Sequence, residues 1–100
     1  VRVLYLNSKN MLIRDEIASE GSIDQAPIYT REIVRRSIDL GAAAFILVHN
    51  HPSGDSAPSR QDISMTREII DVGKKLGIAV HDHVIVGKDG ITSLRSAGLL

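Results

Sequence analysis

His49 and His51 stand one residue apart, and the stretch they open, HNHPSGDSAPSRQD (49–62), continues through a turn-rich loop to Ser59 and Asp62. Side chains alternate faces along a strand, so two imidazoles in a His-x-His point the same way. Their Cα atoms would lie roughly 6.5–7 Å apart at the strand rise, a spacing from which both rings can converge on one ion, while Asn50 points away. A catalytic zinc takes three protein ligands and leaves its fourth position to water. Asp62, held in the first turn of a helix, would complete a His/His/Asp set. Zinc so held lowers the pKa of its water toward about 7 and polarises an amide carbonyl. A further group, usually a Glu, must move the proton, and the Ser59 hydroxyl is suited to donate to the oxyanion. Local grammar offers a second reading. SRQD is a capping-box variant with Ser59 as N-cap and Asp62 as the third helical residue. The two roles compete for Asp62, so its placement is the sharper test.

The elements around this stretch must deliver it. VRVLYLN (1–7) reads as a strand apolar on both faces and therefore central. NSKN (7–10) is a turn, and MLIRDEIAS (11–19) runs back as an antiparallel partner. GSIDQAPIY (21–29) reads as loop, since Pro27 forbids a regular ladder. Thr30 is placed to cap a helix over REIVRRSIDL, with Ile33, Val34, Ser37 and Ile38 on its inner face and Gly41 as its stop. The uniformly apolar Ala42–Val48 is the strand buried on both faces that ends at His49. Pro52 stops the ladder after the histidines, and ligand sites of open α/β sheets collect at such carboxyl ends. A second helix runs from Ser59 to about Leu76, with Ile63, Thr66, Ile70 and Gly73 on its inner stripe and Ile69 and Leu76 widening it. IAVHDHVIV (78–86) is a strand, GKDG a turn and ITSL an edge strand; the tail RSAGLL carries no signal. The order strand, strand, helix, buried strand, helix, strand, strand predicts an α/β domain with a mixed sheet flanked by helices.

Composition narrows the function classes. One hundred residues make one small domain, 1–100, and a chain that opens inside a strand reads as cut from something longer at its N-terminus. Twelve basic and twelve acidic side chains cancel, which argues against the footprint of a dedicated nucleic-acid binder. Without cysteine, disulfides and thiolate metal sites are excluded, and a cytoplasmic setting is compatible. No apolar run approaches the roughly 20 residues of a membrane span. Strand candidates near both ends allow a homodimer through a sheet edge.

HNHPSGDSAPSRQD resembles the JAMM (MPN-plus) metalloprotease signature: His-x-His-Pro, seven residues between His51 and Ser59, then Ser-x-x-Asp. With YTREIVRRSIDLGAAAFILVHNHPSG before it and GIAVHDHVIVG after, nearly the whole chain resembles the RadC family, described as DNA repair proteins. The resemblance implies a cytidine-deaminase-like JAB/MPN fold binding Zn2+ through His49, His51 and Asp62, with Ser59 assisting, and hydrolysis of peptide or isopeptide bonds in a protein substrate. It also implies that the catalytic Glu lies just upstream of the segment matching VRVLYLN, before Val1, so that no general base is named within the chain.

Other polar residues carry weaker signals. Glu16, Glu20 and Glu68 read as surface groups, and Glu32 as a helix-start acid that is a distant substitute for the base. His81 and His83 form a second His-x-His whose shared face makes another metal site conceivable. The match of DHVIVG to the RadC pattern makes Asp82 and His83 candidates for backing the metal ligands or touching substrate. Asn50 and Ser53 read as turn chemistry; Arg35, Arg36, Lys74 and Lys75 read as solvated helix faces. A competing reading is a non-catalytic interaction module of a DNA-processing protein, with a structural or vestigial zinc and contact to DNA through Arg35 and Arg36. An amidohydrolase barrel fails on length, since that barrel needs about 250 residues.

Overall fold

The computed structural model describes residues 1–18, 26–51 and 54–100. Glu20, Pro52 and Ser53 lie outside the described residues. The elements are β1 (Arg2–Leu6), β2 (Leu12–Ile17), α1 (Ala26–Leu40), β3 (Ala44–Asn50), α2 (Arg60–Lys75), β4 (Ala79–Gly87) and β5 (Gly90–Ser93). The strands form one mixed sheet in the order β2-β1-β3-β4-β5. β1 is antiparallel to both β2 and β3, β3 and β4 are parallel, and β5 returns antiparallel along β4. This is the flanked mixed sheet that the element order predicts.

Cross-strand partners share a face, so Val3, Tyr5, Phe45, Leu47 and Val80 lie on one side of the sheet. They form a single buried cluster with Tyr29 and Ile33 of α1 and Met65 and Ile69 of α2. Both helices therefore cover this one face. Aliphatic side chains carry most of that core. Burying each gains about 1.5–3 kcal/mol, and the few rings present pack edge to face, as Tyr5 and Phe45 do at 6.2 Å.

Three expectations need correcting. Helix α1 starts at Ala26, not at a Thr30 cap; Thr30 is buried inside the helix, with its hydroxyl on Glu68 of α2 at 3.5 Å. Pro27 falls in the first turn, where a missing N–H breaks no helical bond. The inner faces are narrower than expected at their edges. Ile33, Val34, Ser37, Thr66, Ile69 and Gly73 are buried as their spacing requires, but Ile38 and Leu76 are 60% and 52% exposed, and Met65 is buried in addition. Ser37 is tolerated there because its hydroxyl donates to the Ile33 carbonyl at 2.8 Å, and its small size lets the helix approach the sheet. Strand β3 continues through Asn50, and the His51 N–H still donates to the Val86 carbonyl at 2.9 Å. The His-x-His thus sits within the parallel ladder and at its very end.

Candidate metal centre

β3 and β4 run side by side toward their carboxyl ends, with His49 opposite Ile85 and Asn50 opposite Val86. Helix α2 begins directly after the connecting loop and brings its N-terminus back to that end. The strand delivers the histidines as its alternation requires: the His49 and His51 rings meet edge to face with centroids 4.9 Å apart. Asp62, fully buried, lies between them. Its Oδ1 is 2.8 Å from His49 Nδ1, and its Oδ2 is 3.0 Å from His51 Nε2. Among the described residues, the group of metal-ligating side chains brought within mutual reach is His49, His51 and Asp62, whose ligand atoms all lie within 4.8 Å of one another.

The capping box is also present. Ser59 Oγ accepts from the Asp62 N–H at 3.0 Å, while the Ser59 N–H and hydroxyl donate to Asp62 Oδ2 at 2.9 and 2.8 Å. The carboxylate that completes the capping box is the same one that is aimed at both histidines. Burial alone would raise the Asp62 carboxyl. The hydrogen bonds from His49 and Ser59 outweigh it and hold the group well below the usual carboxylate range.

The donor set suits a cation on chemical grounds. His51 Nδ1 lies 2.9 Å from the Asp55 carbonyl oxygen, which can only accept, so Nδ1 carries a proton. In the neutral ring Nε2 then bears a lone pair, and that lone pair faces Asp62 Oδ2 at 3.0 Å. Two acceptors in contact repel unless a proton or a metal ion lies between them. A ring nitrogen anchored on a carbonyl, leaving the other for metal, is how ligating histidines are generally oriented.

The Asp55 carbonyl is held by a second set of contacts. Ala57 N–H donates to Asp55 Oδ1 at 2.9 Å, Ser56 N–H to Asp89 Oδ1 at 2.9 Å, and Thr92 Oγ to Ser56 Oγ at 3.1 Å. A Cβ on Gly87 would collide with the Gly54 carbonyl oxygen and come within 2.8 Å of Ser56 N. The β4–β5 hairpin is thus seated on the loop that orients His51. None of these residues stands out in the sequence, because Asp, Ser and Gly in such stretches signal only turns, as GKDG does.

The RadC-like JAB domain family model matches residues 1–99. The chain belongs to the RadC family. For a RadC domain, the α/β sheet and the His/His/Asp group are the expected framework, and the DHVIVG segment now has a defined geometry. A register shift between Phe45 and Ile46 leaves His81 without a cross-strand partner on β3, so His81 and His83 do not form a second paired site. His81 Nε2 instead meets Asn10 Oδ1 at 2.8 Å. Asp82, opposite Ile46, is turned to the other face. Its carboxylate accepts from the His83 and Arg95 N–H groups at 2.7 and 3.0 Å and from the Ser93 hydroxyl. It holds the β5 turn and does not back the metal ligands. His83, opposite Leu47, is fully buried beside the cluster. Glu16 pairs with Arg36 at 2.5 Å and ties β2 to α1, and Glu32 is exposed on α1.

Proposed function

We propose that this RadC domain is a zinc-dependent hydrolase of the JAMM type, acting on the amide bond of a peptide or isopeptide substrate. What carries the reading is Asp62, a buried carboxylate aimed at His49 Nδ1 and His51 Nε2 from the first turn of a helix. His49, His51 and Asp62 would hold the ion, which when bound supplies Lewis acidity toward a carbonyl and activates water at neutral pH. Ser59 sits at the rim of the group. Its hydroxyl is given to Asp62 Oδ2, and turning it outward would offer a donor to a developing oxyanion. The antiparallel register pairs Arg2 with Val48, so the amino end of β1 lies beside the histidines. The substrate is a protein or peptide, and the setting cytoplasmic.

The DNA-contact reading draws less support. Arg36 is committed to Glu16, and the chain's net charge of zero gives no overall pull toward a polyanion. Metal analysis of protein purified without chelators tests the hydrolase reading. About one equivalent of zinc is expected, lost in His49→Ala and Asp62→Asn, together with turnover of a fluorogenic peptide or isopeptide. Protein that holds no zinc, or holds it equally in His49→Ala, sinks the reading.

A further inference from the structure

His83 carries an atom that neither the fold nor the His/His/Asp group uses. Its Nδ1 lies 2.6 Å from the Thr66 hydroxyl, and that hydroxyl lies 2.6 Å from the Asp62 carbonyl oxygen. Thr66 has one proton. A carbonyl oxygen can only accept, so the Thr66 proton goes to Asp62, and the hydroxyl accepts from His83. This assigns His83 the Nδ1–H tautomer and leaves a lone pair on Nε2. That Nε2 is buried, with no hydrogen-bond partner among the described residues. The ring stands beside His49, centroids 6.0 Å apart and planes inclined by 32°. A buried acceptor without a donor is rare enough to call for an account.

His49 supplies the complement. Its Nδ1 faces Asp62, so if that nitrogen is given to an ion, Nε2 keeps a proton that needs an acceptor. His51 solves the same problem with the Asp55 carbonyl. The geometry points to His83 as the positioning residue for His49: with an ion on His49 Nδ1, the neighbouring His83 Nε2 would take the remaining His49 N–H, a bond not made in this structure, while its Nδ1–H continues through Thr66 to the Asp62 backbone. One chain of hydrogen bonds then fixes the orientation of two ligands from the buried side. This rests on the metal reading above and deepens it, by giving each histidine ligand a named outer partner of different chemistry.

Two replacements separate the nitrogens. His83→Asn keeps a donor near the Nδ1 position for Thr66 and offers nothing at Nε2, whereas His83→Gln places an amide oxygen near Nε2. Zinc affinity is measured by competition with a chromogenic chelator, and the coordination geometry by the visible spectrum of the cobalt-substituted domain. His83→Asn is expected to bind about 10–100-fold more weakly with a changed cobalt spectrum, and His83→Gln to recover most of the affinity. Equal binding by wild type and both variants, or equal weakening of both, overturns the proposal. Nitrogen-15 spectra of the metal-free wild type test it without any variant: Nδ1 of His83 is expected to be protonated and Nε2 bare, and the opposite tautomer overturns it. Wild-type protein that takes up no zinc would sink the hydrolase reading instead, a result distinct from wild type binding zinc and His83→Asn matching it.

Discussion

Asp62→Asn keeps the volume of the side chain and removes its charge. It is expected to abolish zinc retention. In metal-free protein it should cost about 1–3 kcal/mol, as charge-assisted bonds to Ser59 and His49 weaken, read from urea denaturation. Acid should destabilise the metal-free domain in two steps. Burial pushes the His83 imidazole from 6.5 down to about 4, so between those values the unfolded chain binds a proton that the folded one refuses. Stability therefore falls as pH drops through that window, by about 3 kcal/mol at most, and levels below it. Asp62 and Asp82 have lowered carboxyl pKa values, so their contribution is present above the ordinary carboxylate range and is lost only in stronger acid. His83→Asn should remove the upper step and leave the lower one, and a denaturation series from pH 7 to 3 checks both. At this scale the ligand set was legible, because His-x-His and Ser-x-x-Asp are side-chain patterns with fixed spacing. The Asp55 anchor was not, because a backbone carbonyl leaves no mark on residue type.

The β4–β5 hairpin is more than an edge. Gly87→Ala would press a methyl group into Gly54 and Ser56 and shift the Asp55 carbonyl from under His51. Zinc affinity should fall by about 10–100-fold, the range of a lost outer partner, with a smaller loss of thermal stability. Asp89→Ala, which removes the acceptor for Ser56 N–H, should act in the same direction and more mildly. Ser59→Ala should cost about 1 kcal/mol through loss of the cap, measurable in metal-free protein. The strands could be read from their apolar runs. The start of α1 could not, since Thr30 mimics a cap while the true first turn contains Pro27. The bulge in β4 was hidden too: HDH keeps strict alternation in the sequence, and only pairing with β3 reveals that His81 is the extra residue.

For the molecule as a whole, a bound ion is folding free energy. Zinc at about 100 times its dissociation constant should stabilise the domain by about 2.7 kcal/mol, a rise in melting temperature on the order of 10–20 °C for a chain of this size. Chelator should reverse it, and His49→Ala should show neither change. Among the described residues, no helix is long and apolar enough to cross a membrane. The mixed sheet followed from the element sequence; the strand order β2-β1-β3-β4-β5 came only from the pairing. The sharing of one sheet face by both helices did not follow either, because each helix alone presents an apolar stripe that fits either side.

Ser56, in the loop before Ser59, is held by Asp89 and Thr92, 33 and 36 residues further along the chain. All three ligands are already synthesised by Asp62, yet the seat for His51 is finished only when the last hairpin arrives. Under the proposed metal reading, capture of the ion would therefore wait on that hairpin: a nascent chain ending short of Asp89 would carry every ligand and hold the metal poorly.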